Sequence, residues 1–528
     1  MSTNQLLSFR HTNFLILMLF FIASCGGGGD KSNVNPQVTA VPVKSMAGDD
    51  ITSMERQKVT LTGQGSGPSN ASLTYTWTQT AGTEVELVNS NSAELTFVTP
   101  SITSDEVLTF ELTVASSSDS NADSVSVNVT TYLDIGNFTL SNRNFQSCFD
   151  LHVIENSWQD IGEVLFLDCT TYYINNLSGV DELINLESLT LHGYNLTDLT
   201  PLSELSSLRE LNLNNNEISD LSALAGLTKL ITLNLNNNLV TDISPLSELK
   251  LLERLLLNEN KISDISTLSA LESLNTLHLF NNQISDISSL NNLASLSDLS
   301  LSYNRVLDIT PLSNLHALTW LSLSGNGFDD ISALEELTNL TSLQLPQNNI
   351  SDLSPLSSLD QLETLSLFQN KISNISFFHD GMALKELDLS NNNIKDLSGL
   401  SALTGLNFLN LNKNSISDVS TLSTLNSLKR LYLSNNDITD ISILNNLKNL
   451  KELGLGSNKI EDLFALSELF ELTFLDLYSN NISDVTPLSS LIELNQLHLD
   501  DNPIFCTDID KLRTFLTDTG IVAYDCIR

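Results

Sequence analysis

The stretch that decides the fold is residues 208–229, LRELNLNNNEISDLSALAGLTK. Its pattern, L-x-x-L-x-L-x-x-N-x-I-x-D-I, recurs every 22 residues, fifteen times from Leu186 to the copy beginning at Leu494, without an insertion or deletion. All 45 places of the three leading leucines are Leu. A fixed period of this length describes one short coil that cannot bury its apolar face alone and must stack on its neighbours. The expected architecture is mainly β with short helical turns. It is a curved solenoid of 15 regular repeats plus a degenerate first coil, preceded by a β-sandwich.

Working outward, one period before Leu186 places Val164, Leu167, Cys169, Ile174, Leu177, Val180 and Leu183 on the apolar positions. Residues 132–185 therefore read as an N-terminal cap and degenerate first coil, and 186–505 as the regular array. Residues 506–528 read as a C-terminal cap, in which Ile509, Leu512, Phe515 and Leu516 outline an amphipathic helical segment. Both caps are physically required, because a bare end would expose a leucine layer to water.

Within the repeat, Asn holds the ninth place in 14 of 15 copies, from Asn216 to Asn502, with Tyr194 the exception. A buried amide carries the donors and acceptor needed to satisfy backbone groups of adjacent coils, so this ladder reads as structural. The thirteenth place holds thirteen Asp between Asp198 and Asp484, with Asn374 in one copy. A row of carboxylates one coil apart could suggest calcium. Capping of a short outer turn is the better explanation, since Asn serves equally well as a cap. Pro245, Pro311, Pro355 and Pro487 follow three places later, inside the first turn.

The period, the Asn ladder and the D-I-S-P-L outer turn resemble the internalin-like and phosphatase-regulator-like class of leucine-rich repeats. Residues 38–131 show alternating apolar stretches separated by polar turns, as in a small antiparallel β-sandwich. The segments 75–82 (YTWTQTAG) and 108–114 (LTFELTV) resemble polycystic-kidney-disease-like immunoglobulin-fold modules. Trp77, in step with Leu73 and Tyr75, is expected to be the core tryptophan of that sandwich, and the module to be a spacer.

Export is written at the other end. Arg10 and His11 precede the apolar run Phe14 to Ile22, and Ile22-Ala23-Ser24-Cys25 resembles the lipobox of a bacterial lipoprotein signal peptide. Residues 1–24 are then the signal peptide, Cys25 the lipidated residue, and 25–37 a flexible tether that opens with Gly26 to Gly29. The alternative is an ordinary signal peptide that discards Cys25. Five cysteines leave Cys25 as the odd one and Cys148–Cys169 and Cys506–Cys526 as disulfides bracketing the array. The expected location is the cell envelope, by a lipid anchor in the outer membrane of a diderm bacterium, with the facing side open.

A net charge of −39, from 63 acidic and 24 basic residues, argues against nucleic acid. The seven His are scattered, and no H-E-x-x-H, G-x-S-x-G or phosphate-binding glycine loop is present, so no enzyme, cofactor or metal is expected. Function should sit where the repeat leaves letters free, at places 3, 5, 7 and 8 on the concave sheet face. There stand Arg254, Phe280, Tyr303, Trp320, Phe368, Phe408, Arg430, Tyr432, Phe474 and Tyr478, interleaved with His278, Glu386, Asp388 and Glu452. Large aromatics with Arg on one solvent face match the composition of interaction hot spots. About sixteen strands at ~4.8 Å spacing give a face roughly 75 Å long, which suits a protein or polysaccharide better than a metabolite. The expected function is a monomeric envelope lipoprotein binding such a partner, with the internalin resemblance implying adhesion or recognition. The competing reading is a periplasm-facing scaffold without an extracellular target.

Overall fold

The computed structural model describes residues 41–69, 71–191, 193, 195–516, 520–522 and 525–527. The expected signal peptide, Cys25 and its tether lie outside the described residues, as does Tyr194. The chain divides into two compact units, with Thr131 the last residue of the first and Tyr132 the first of the second.

Strict alternation builds the first unit. In the strand Glu106–Ala115 every second side chain from Leu108 to Val114 is buried. It pairs antiparallel with Ser120–Thr130 and with Thr74–Ala81. Ile51–Met54 joins Ser120–Thr130 in parallel and completes a four-stranded sheet. Two further antiparallel pairs are Lys44–Met46 with Gln64–Ser66 and Lys58–Thr62 with Glu94–Val98, the latter supplying Val59, Leu61, Leu95 and Phe97 to the same core. Trp77 is 2% exposed in that core, and its indole Nε1 donates to the Ser92 carbonyl at 3.2 Å.

Identical coil length builds the second. Each copy gives one three-residue strand, and each strand pairs in parallel with the next at the same place of the repeat, Leu211 opposite Leu233 and Leu233 opposite Leu255. Because the period never varies, the register never slips and the leucines always fall on the inner face. Seventeen strands, from Phe166–Asp168 to Gly520–Val522, form one open ribbon. Among the described residues its end strands pair only inward, with Ser188–Thr190 and Gln496–His498. The count exceeds the sixteen expected because the chain leaves the last repeat, forms the helix Cys506–Phe515 and returns to add Gly520–Val522.

The N-terminal cap also holds an element the periodicity did not announce, the helix Arg143–Asn156. Asn142 caps it, accepting the Asn144 and Phe145 N–H groups at 2.9 and 3.0 Å, and Phe145, Cys148 and Phe149 bury one face. The Cys148–Cys169 disulfide ties this helix to the first coil, and Cys506–Cys526 closes the other end.

The asparagine ladder joins the coils. Asn304 is typical: its Oδ1 accepts the Ile284 N–H of the preceding coil at 3.0 Å. Its Nδ2 donates to the carbonyls of Leu279 in that coil, at 2.8 Å, and of Leu301 in its own, at 3.0 Å. The residue just before each Asn holds a left-handed φ of 52° to 66° from Asn215 to Asp501. Asn tolerates that conformation, whereas Tyr303 at φ 55° is strained there. Ladder bonds hold the turn regardless, as when the Tyr303 N–H donates to Ser324 O at 2.7 Å.

On the outer side the coils make 3-10 segments of three to five residues, such as Ser222–Leu224 or Ser244–Glu248, except the coil of Asn374, which makes only a turn there. The repeated Asp lies one residue outside the expected N-cap position. Asp220 Oδ1 accepts the N–H of Ser222, the first residue of the turn, at 2.9 Å. Asn374 does the same for Ser376 at 3.0 Å. Pro245 sits second in its turn, where a missing N–H costs little.

Two outcomes follow from this packing. Replacing Asn304 by Leu leaves the Ile284 N–H without its partner in a dry core, and takes from the Leu279 and Leu301 carbonyls one of two amide donors, Asn282 and Asn326 supplying the others. It should cost about 2 kcal/mol in chemical denaturation and raise hydrogen exchange at Ile284, and a loss under about 1 kcal/mol contradicts the role assigned to the ladder.

The second concerns acid. Asp220, Asp264 and Asp418 are held below 3.8, their ordinary value, chiefly because each accepts a backbone N–H and then a hydroxyl from the Ser two residues on. A carboxyl whose folded value is depressed stabilises the fold above its unfolded value, and that contribution disappears as pH falls through the folded one. Replacing all three by Asn should leave the urea midpoint at pH 7 unchanged and reduce its fall between about pH 6 and about pH 2.5. Parallel acid slopes for variant and wild type would rule this out.

Candidate functional site

The strand residues at places 3 and 5 point to the solvent side of the ribbon, and places 7 and 8 form the turn beside it. All ten residues singled out in the sequence lie on this side, but they do not form one continuous patch. Phe368 apart, they fall into two clusters separated by strands bearing Ser342, Gln344, Thr364 and Ser366. From Trp320–Ser322 to Phe408–Asn410 is four strand spacings, roughly 19 Å.

In the first cluster His278 Nε2 meets Asp298 Oδ1 at 2.8 Å, and its ring lies 5.8 Å from that of Trp320. Phe280 meets Tyr303 edge to face at 5.3 Å. Leu256 is nearly buried on this nominally solvent side. Arg254 is exposed and has no ion pair among the described residues. Phe368 stands between the clusters with no ring partner among the described residues.

The second cluster is denser. Arg430 lies 4.6 Å above the Phe408 ring and reaches back two strands to Glu386 at 3.2 Å. Tyr432 donates its hydroxyl to Glu452 on the next strand, and burial followed by that bond pushes its phenol up to about 12. Phe474 meets His498 edge to face at 5.6 Å. Asp476, 3.8 Å from His498 Nδ1, is held above the ordinary carboxylate value because it is partly buried.

These rings are not freely exposed, as the sequence pattern suggested. Tyr303 is 43% exposed, while Phe280, Trp320, Phe368, Phe408, Tyr432, Phe474 and Tyr478 are half-buried. The physical reason is lateral packing, because rings on strands ~4.8 Å apart lie over their neighbours. Three tyrosines rest on glycines one 22-residue period away. A Cβ added at Gly325 would stand 2.9 Å from the Tyr303 ring, and one at Gly454 2.9 Å from that of Tyr432. At Gly456 it would overlap the Tyr478 ring outright, at 2.2 Å.

Sequence reasoning missed these glycines, together with Asp298 and Asp476. A readable signal existed, a Gly at the same repeat place as a Tyr one period away. Among the described residues no group of three or more His, Cys, Asp or Glu stands close enough to hold a metal ion, so the Asp row forms no such group.

Comparison with known proteins places both units. Residues 47–130 match a family described as a PKD domain. Residues 206–248, 250–292, 338–378, 383–424 and 426–468 match leucine-rich repeats in two-copy units. No curated protein matches the chain significantly. Among solved structures, an internalin (inlF) from Listeria monocytogenes is 32% identical, with 67% of this chain and 94% of that one covered and a TM-score of 0.51. A leucine-rich-repeat protein of Leptospira interrogans is 28% identical, covering 70% and 97%, with a TM-score of 0.65. The ectodomain of the Arabidopsis receptor kinase HAESA, solved with an IDA peptide hormone ligand, is 25% identical over 62% and 63%, with a TM-score of 0.51.

Proposed function

The chain belongs to the internalin-like leucine-rich-repeat proteins, and from that premise we propose that it is an envelope lipoprotein that recognises a protein partner through the solvent face of its ribbon. Solenoids of this kind are typical of protein recognition. The observation that carries the proposal is the gathering of rings, arginine and carboxylates into two clusters on one face of an otherwise small, polar ribbon. Aromatic and Arg side chains held rigid before binding lose little entropy on contact, which is what a hot spot needs.

Two aspects rest on sequence alone. Attachment through Cys25 would anchor the chain to a membrane, and the glycine after Cys25 suits outer-membrane sorting in a diderm cell. The similar HAESA solenoid, seen with a bound peptide, supports an extended protein segment as the kind of ligand such a ribbon accepts. Adhesion or recognition at the envelope is the role these features favour, and a shallow face is a poor enclosure for small substrates.

The test is capture from envelope and host-cell extracts by the full chain and by a Trp320→Ala, Phe368→Ala double variant. The double variant should lose the captured species while its thermal midpoint falls by no more than about 3 °C, since both rings are half-buried and outside the leucine core. Undiminished capture contradicts the proposal. So does a midpoint drop above about 10 °C, which would make these rings part of the core.

A further inference from the structure

The second cluster contains a cleft of ≈ 370 Å³ lined by Tyr432, Glu452, Thr473, Phe474, Asn495 and Gln496. Two of its sides are aromatic rings on strands either side of Glu452. Glu452 accepts the Tyr432 hydroxyl and, among the described residues, pairs with no cation. Arg430, its direct neighbour across the ladder, is turned away toward Glu386 and the face of Phe408. No lysine or arginine lines the cleft.

A second carboxylate, Asp476, stands on the next strand beside Phe474, and its weak contact with His498 at 3.8 Å leaves it incompletely neutralised. On the strand of Glu452 the next outward-facing place is Gly454, over which the Tyr432 ring lies.

We propose that this cleft receives the cationic side chain of a basic protein partner, an arginine or lysine, with Glu452 as its counter-ion and the Tyr432 and Phe474 rings as its walls. The proposal rests on the reading of this face as a recognition surface and names the chemistry of one contact on it. A cation between two ring faces is attracted by their negative quadrupoles, and a carboxylate already fixed by a phenol needs no reorganisation to pair with it. The net charge of −39 adds long-range attraction for a basic partner. Carbohydrate also stacks on aromatic rings and can donate hydroxyls to a carboxylate, but it brings no positive charge to offset that of Glu452.

The experiment is calorimetric titration of the full chain with acetyl-tetraarginine amide at about 0.15 M salt, using the neutral tetracitrulline peptide and maltoheptaose as comparison probes. The arginine peptide should bind at least about tenfold more tightly than the citrulline peptide. E452Q should lose about tenfold and F474A about fivefold, with E210Q unchanged. E452Q keeps the size and shape of the side chain and so remains informative even if F474A is unstable.

An E452Q affinity within about twofold of wild type overturns the proposal, as does an equal loss in E210Q, which would mark a diffuse acidic field. Maltoheptaose binding that F474A abolishes, with no arginine-peptide binding, also overturns it in favour of a sugar site. Partner capture lost in the Trp320, Phe368 double variant alongside an unaffected E452Q sinks this inference alone. Undiminished capture by that double variant bears on the recognition reading instead.

Discussion

The solenoid depends on one interaction repeated in 14 of its 15 regular coils, the buried asparagine amide that bridges successive coils. Leucine burial supplies the driving force, but it is non-directional and would tolerate many coil geometries. The amide is directional: one oxygen accepts the preceding coil's N–H, and one NH₂ group donates to carbonyls on both coils. It fixes the distance and rotation between neighbours and forces the residue before it into a left-handed turn. With that turn fixed, the place after the strand always leaves in the same direction, and every coil presents the same places to solvent.

That constraint explains what could be read from the sequence. The leucine places, the Asn ladder, the Asp and Pro of the outer turns and the core position of Trp77 depend on spacing within one coil or on alternation within one strand, and the two disulfides follow from the odd count of five cysteines. Spacing of this sort is visible in a single chain. The cap helix Arg143–Asn156 was legible too, with Asn142 ahead of Phe145, Cys148 and Phe149 at helical intervals. It went unread because the repeat ends there. The strand Gly520–Val522 is different, since it joins the ribbon after a helix and off the 22-residue count.

The candidate site was only half legible, for a related reason. Each aromatic place was correctly assigned to the solvent side, but what a ring does there depends on the residues one period before and after it. Tyr432 lies down because Gly454 leaves room, and Arg430 turns back because Phe408 and Glu386 receive it. A one-dimensional reading finds the lanes but does not see how large neighbours crowd or small ones yield. The repeat therefore separates two tasks: its invariant letters build a ruler, and lateral packing among its free letters shapes a surface.

The most direct measurement of that separation places a photo-reactive benzoylphenylalanine at Ser342, in the polar gap between the clusters, or at Ser266, on an outer turn, and cross-links in envelope and host-cell extracts. A discrete adduct at Ser342 and none at Ser266 is the expected result. An adduct formed only from Ser266 would contradict the claim that recognition belongs to the ribbon face.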